Sequence, residues 1–200
     1  MKTLLFIDSC IRKEQSRTKV IADAFVEKLR QSGEYSIETV DIDKIPLSPL
    51  GKREYEHREN LLAQSKFDDK LFDLPKQFAK ADLIVVSAPF WDMGIPAKLK
   101  TYFENVSVSG FTFGFDGVQF KGLCNAEHMV YITTRGMDIV DGDEMEQASP
   151  YLRALCKFFG IGNFAMVSVS SLDVKPDEVD ERLAAAVKQA EQLADTILRK

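Results

Sequence analysis

Three short segments carry side chains whose types and spacing could do chemistry. In the first, Asp8 to Thr18, the hydroxyls of Ser16 and Thr18 flank the guanidinium of Arg17. If this run opens a helix, the unpaired N–H groups of its first turn and the positive end of its dipole attract an anion. The hydroxyls would add donors and Arg17 a charge. The plainer reading is that Ser16 or Thr18 only caps the helix. The run holds neither GxGxxG nor GxxxxGK[ST], which disfavours a dinucleotide-binding turn and a P-loop. A cysteine-phosphatase loop is a further reading, because Cys10 precedes Arg17. However, Ser16 stands where that loop needs its arginine, and Glu14 opposes the lowered thiol pKa that such a nucleophile requires.

The second segment is Ala88-Pro89-Phe90-Trp91-Asp92-Met93-Gly94-Ile95-Pro96, with the only tryptophan of the chain next to a phenylalanine. Its prolines and glycine set a tight backbone path. Exposed amides beside a flat aromatic surface suit a planar heterocycle such as an isoalloxazine ring; an aromatic pair closing the core is the alternative. The third segment, Thr133-Thr134-Arg135-Gly136-Met137-Asp138, has a glycine that permits close backbone approach and an arginine that could offset negative charge. The acidic run that follows it, Asp138, Asp141, Asp143, Glu144 and Glu146, reads as a solvated loop.

These segments gain meaning from the elements that must position them. Apolar runs at Leu4–Ile7, Tyr35–Val40, Leu83–Val86, Met129–Ile132 and Phe164–Val169 read as strands. Helical stripes lie between and after them: Lys19–Leu29, a stretch opened by Pro96, another opened by Ser149-Pro150 and stopped by Gly160, and a closing one from Val179 to Ile197. Alternating strands and helices imply an α/β fold with a parallel sheet covered on both faces. Right-handed crossovers favour the doubly wound five-stranded order 2-1-3-4-5. Ligands of such sheets bind beyond the carboxyl ends of the strands, where the three segments fall. Each is weak alone; their joint placement is the stronger signal.

Composition bounds the rest. Two hundred residues, 45% hydrophobic and 28% charged, suit one domain, 1–200, with a core large enough to need no metal or disulfide. Two segments exceed a minimal fold. Residues 44–63 form a charged excursion. Residues 107–126 space Phe111, Phe113, Phe115 and Phe120 as in a hairpin, either packed on the domain or forming an aromatic wall over a ligand or a partner subunit. A net charge of −5 argues against nucleic-acid binding. Three widely spaced cysteines suggest free thiols in a reducing cytoplasm and no zinc site. Neither a signal peptide nor a membrane span is expected.

The run Ala88 to Glu104 (APFWDMGIPAKLKTYFE) is similar to the AP[MF][YW]N[FM]xIPxxLKxYxD pattern of the FMN-dependent NADH:quinone oxidoreductases, or NADH-azoreductases, of the flavodoxin-like superfamily. Gly110 to Phe113 resembles their GxTF, and Thr133 to Gly136 the start of their [ST]RGG. The resemblance runs nearly end to end. It implies that Ser9 or Cys10, with Ser16, Arg17 and Thr18, holds the FMN phosphate. Pro89, Phe90, Trp91, Asp92 and Met93 would line the flavin ring, and Thr134, Arg135, Gly136 and Met137 its other polar edge. It further implies homodimers with active sites at the subunit interface. NADH or NADPH would be the reductant and a quinone or azo compound the acceptor, in a ping-pong cycle. No obligatory acid or base is expected; His57, in the excursion, is a weak candidate to reach a substrate and His128 a structural residue. Two residues depart from the pattern. Asp92 replaces an Asn, which could donate to a flavin carbonyl, and Met137 replaces a second Gly. They leave room for another function, a flavin-binding electron carrier or sensor with little turnover.

Overall fold

The computed structural model describes residues 1–199. Its five main strands are β1 (Lys2–Asp8), β2 (Tyr35–Asp41), β3 (Leu83–Ser87), β6 (His128–Thr134) and β7 (Asn163–Val169). They form one parallel sheet in the order β2-β1-β3-β6-β7. Numbered without the intervening hairpin, this is the expected 2-1-3-4-5. Burial on both faces explains the apolar run Leu83–Val86 of β3, all five of whose residues are buried.

Side chains alternate across the sheet. Leu5, Ile7, Ile84, Val86, Met129 and Tyr131 face one layer of helices, made of α3 (Asp73–Lys80), α4 (Ala97–Val106) and α5 (Ala148–Phe159). Leu4, Phe6, Leu83, Val85, Val130 and Ile132 face the other, made of α1 (Arg17–Gln31) and α6 (Val179–Leu198). No helix among the described residues is long and apolar enough to cross a membrane.

The excursion after β2 folds as α2 (Lys52–Ala63), which buries only Leu61. The 107–126 segment forms an antiparallel hairpin of β4 (Phe113–Phe115) and β5 (Phe120–Gly122). Its Phe113 ring lies 4.5 Å from that of Phe158 on α5. Gly122 meets Gly160, where α5 ends in a left-handed residue at φ 77°. Because α5 descends from the carboxyl end of β6 to the start of β7, this contact is at the end of the sheet opposite the strand carboxyl termini. The hairpin therefore cannot wall a ligand at those termini in its own chain.

Two expectations about helices are corrected. Ser149 does not cap α5. The helix starts at Ala148, and the buried Glu146 carboxylate accepts hydrogen bonds from the N–H groups of Ala148 and Ser149, at 3.0 and 2.9 Å, and from the Ser149 hydroxyl. Pro96 sits just before α4 rather than in its first turn. In addition, α3 has no counterpart in the sequence reading: it is eight residues long and carries Pro75 in its first turn.

Candidate functional site

The carboxyl ends of β1, β3 and β6 meet at a cavity of about 180 Å³. Ten of the residues singled out in the sequence line it: Cys10, Ser16, Arg17, Thr18, Pro89, Phe90, Trp91, Thr134, Arg135 and Gly136. Ser9, Asp92, Met93 and Met137 do not line it. Ser9 is buried with its hydroxyl unpartnered, while Asp92 and Met137 are exposed beside lining residues. Ile11, Arg12, Leu172 and Asp173 also line the cavity and were not read from the sequence. Arg12 had a signal, as a second cation in the loop before α1. Asp173 had none, because it arrives from the loop after β7.

The anion side is built by the start of α1. Ser16 is its N-cap, with Oγ accepting from the Lys19 N–H at 3.3 Å. Capping and anion binding are compatible here, because a hydroxyl that accepts through a lone pair keeps its own hydrogen to donate. Arg17 and Thr18 open the helix, so their N–H groups have no acceptor one turn back. The Thr18 and Thr134 hydroxyls are 2.7 Å apart, tying α1 to the end of β6.

The aromatic side is a tight turn. Trp91 and Gly94 exchange both backbone hydrogen bonds, at 3.1 and 2.8 Å. The two residues between them are left-handed, Asp92 at φ 48° and Met93 at φ 62°. Asn and Asp are the side-chain-bearing residues that best tolerate this conformation, so the Asp92 substitution keeps the turn. Phe90 N–H donates to Thr134 O at 3.2 Å, which holds the segment against β6. The N–H groups of Asp92 and Met93, and those of Gly136 and Met137, donate to no protein acceptor among the described residues. Unspent backbone donors thus collect on both sides of the aromatic wall.

Arg135 behaves differently from the expectation of a cation for the ligand. Its side chain is fully buried and turned inward. Nη1 donates to Ile139 O at 3.0 Å and lies 2.8 Å from Asp141 Oδ1, and Nη2 is 3.9 Å from Glu146. The guanidinium carbon stacks 5.4 Å from the centroid of the Phe90 ring. The acidic run is therefore not simply a solvated loop: two of its carboxylates fold onto Arg135. The charge of Arg135 serves that loop and the seat of Phe90.

Cys10 is fully buried, with Sγ 3.0 Å from the Ser87 hydroxyl. Burial pushes its thiol up to about 11, so near neutral pH it is protonated and no nucleophile. The phosphatase reading fails on this geometry. Cys10→Ser is expected to leave any reductase activity within a few fold, and iodoacetamide is expected to spare Cys10 in the folded protein. Loss of turnover with ligand still bound would contradict this. His57 lines a separate, more apolar cavity of about 440 Å³ between the 45–50 segment, α2 and Leu74, not the strand-end cavity.

Comparisons with known proteins bear on the family and the fold. A family described by its flavodoxin-like fold matches residues 2–194. An FMN-dependent NADH:quinone oxidoreductase of Clostridium perfringens (strain ATCC 13124) is 33% identical, covering 97% of this chain and 98% of its own. FMN-dependent NADH:quinone oxidoreductase 2 of Clostridium acetobutylicum is 32% identical with the same coverage. Among solved structures, an azoreductase from Bacillus anthracis str. Sterne superposes with a TM-score of 0.87 at 23% identity, over 98% of this chain and 100% of that one. An FMN-dependent NADH-azoreductase from Bacillus anthracis str. Ames Ancestor, in complex with FMN, gives 0.84 at 22% identity, over 98% and 99%. At these identities the solved structures speak for the fold.

Proposed function

Because the chain belongs to the flavodoxin-like fold family and, within it, to the FMN-dependent NADH:quinone oxidoreductases, we propose that its strand-end cavity holds FMN and that the protein passes two electrons from NADH to a quinone or azo compound. The protein is an FMN-dependent oxidoreductase. The observation that carries the site assignment is the convergence, in one cavity, of a helix N-terminus with two hydroxyls and an aromatic wall flanked by unspent amides.

The residues fit the group. The enclosed volume is below the range of roughly 300–1,000 Å³ common for ligand pockets, so it suits the phosphate and the sugar chain. Phe90 and the half-exposed Trp91, at the mouth, would supply the apolar surface for the ring. In this reading Ser16, Arg17 and Thr18 grip the phosphate, with the Cys10 backbone beside them. The N–H groups of Asp92, Met93, Gly136 and Met137 meet the polar edges of the ring. When bound, FMN would supply the two-electron redox chemistry between the nicotinamide and the acceptor. The protein's part would be position: the locked turn and the Arg135-backed Phe90 would hold the ring in place. If the nicotinamide and the acceptor share the surface beside Phe90 and Trp91 they must come in turn, so we assign a ping-pong order; NADPH is an alternative reductant. No side chain of the cavity is assigned an obligatory proton transfer.

We also assign a homodimer. Phe115, Val118 and Phe120 are 60%, 88% and 70% exposed on a hairpin that cannot reach its own cavity, which suits cover by a second copy. Light scattering should then give about twice 22.5 kDa. Because NADH is a cytoplasmic reductant, we also assign the protein to the cytoplasm.

The test is direct. The purified protein should show flavin absorbance bands and should oxidise NADH when a quinone is added. Bound flavin without turnover would favour an electron carrier, and no flavin binding would remove the reading. Asp92→Asn is expected to preserve the turn and remove a negative charge near the ring. The midpoint potential of bound FMN should rise by up to ~30 mV, equivalent to tenfold in a two-electron equilibrium. An unchanged potential would assign the exposed Asp92 side chain to solvent alone.

A further inference from the structure

The cavity that we assign to the FMN phosphate already contains an anion of the protein's own. Asp173 Oδ1 lies 2.7 Å from Arg17 Nη1, the cation of the α1 N-terminus, which also donates to Leu172 O at 3.4 Å. The carboxylate does not hang from a loose loop. Arg135 N–H donates to Val169 O, Ser171 N–H to Met137 O, Leu172 N–H to Arg135 O and Asp173 N–H to Gly136 O, at 2.7, 2.9, 3.2 and 3.0 Å. The chain after β7 thereby continues along the segment after β6 and delivers Asp173 to the cavity wall. Gly136 makes the space: a Cβ there would stand 2.0 Å from Asp173 Oδ2. The Arg17–Asp173 pair spans from α1 to the opposite wall, and both residues line the cavity. Of the three arginines that line the cavity, Arg135 is paired inside the fold and Arg12 makes no ion pair among the described residues.

We propose that Asp173 is a built-in competitor for Arg17, and that it sets how strongly the site prefers FMN over the same ring without its phosphate. The inference rests on the FMN reading. A phosphate entering at Ser16 and Thr18 needs Arg17, and it can have the guanidinium only by drawing it from Asp173. It also meets the Asp173 carboxylate as a like charge. Both effects weaken FMN and leave riboflavin untouched. Phosphate affinity is thereby held below what the helix terminus and the hydroxyls would otherwise give, keeping the cofactor exchangeable.

Asp173 is mostly exposed, so Asp173→Asn should fold normally and retains the shape of the side chain. Dissociation constants for FMN and for riboflavin would be measured by fluorescence quenching on wild type and variant after removal of bound flavin. The variant is expected to bind FMN about fivefold more tightly, an amount limited by solvent screening, with riboflavin unchanged. FMN affinity that is unchanged or weaker would overturn the proposal while leaving the cofactor reading intact, and weaker binding would make Asp173 a positioning residue for Arg17. Equal tightening of both flavins would also overturn it, because the effect would then not act through phosphate. Failure of the wild type to bind FMN at all would remove the cofactor reading and this inference together.

Discussion

A chain carrying both Ser16→Ala and Thr18→Ala is expected to bind FMN about 30- to 150-fold more weakly than wild type, a loss of about 2–3 kcal/mol from two hydrogen bonds to a charged group. Riboflavin should change by less than about twofold in the same comparison, because it shares the ring but lacks the phosphate. The structure adds two consequences. Ser16→Ala also removes the cap on the Lys19 N–H, and so should lower stability by about 1 kcal/mol. Thr18→Ala frees the Thr134 hydroxyl from its 2.7 Å contact, loosening the tie between α1 and β6. Affinities must therefore be measured well below the melting transition of the double variant. Isothermal titration with both flavins checks the prediction. An FMN affinity equal to wild type would place the phosphate elsewhere, and a parallel fall for riboflavin would mean that the cavity itself had deformed.

Gly122→Ala is expected to destabilise the fold by about 3 kcal/mol, at the upper end of what overpacking usually costs. An added Cβ would lie 2.0 Å from both the Gly160 nitrogen and the Phe159 carbonyl carbon. Both are backbone atoms, so no flexible side chain can swing aside. The neighbourhood is pinned as well: Cys124 N–H donates to Phe159 O at 3.1 Å and Ile161 N–H to Cys156 O at 2.9 Å. Relief requires either the hairpin or the end of α5 to move, which would open the Phe113–Phe158 ring contact. For a chain of this length the melting temperature should fall by about 6–12 °C. The affinity of the folded protein for FMN should stay within about twofold, because the contact is at the far end of the sheet from the cavity. Calorimetry and flavin titration on the same sample separate the two quantities. A wild-type melting temperature would show that the backbone yields easily there. A large loss of FMN affinity would show that the hairpin and the site are coupled.

Much of this molecule was legible in its residue order. Buried parallel strands must be apolar on both faces, so Leu4–Ile7, Leu83–Val86 and Met129–Ile132 announce themselves. Helices between them need only one apolar stripe. Once strand and helix alternate, handedness leaves few topologies and sends the loops after β1, β3 and β6 to one edge. Ten of the fourteen residues singled out for the site line the cavity on that ground, whatever their individual signals. What the residue order left open depended on contacts between distant segments. The first-turn Pro75 in a short, charged stretch hid α3. Local propensity favoured Ser149 as the cap of α5, but a buried Glu146, itself close to Arg135, took that role. Arg135 turned inward because a fully buried guanidinium needs carboxylates, and the acidic run could fold back to supply them. Asp173 reached Arg17 only because β7 pairs beside β6, bringing together residues 156 positions apart. Periodicity and turn chemistry are properties of neighbours along the chain, so the sequence carries them openly. Which charge meets which is decided by desolvation and packing once the sheet has closed, and only the tertiary structure holds that information.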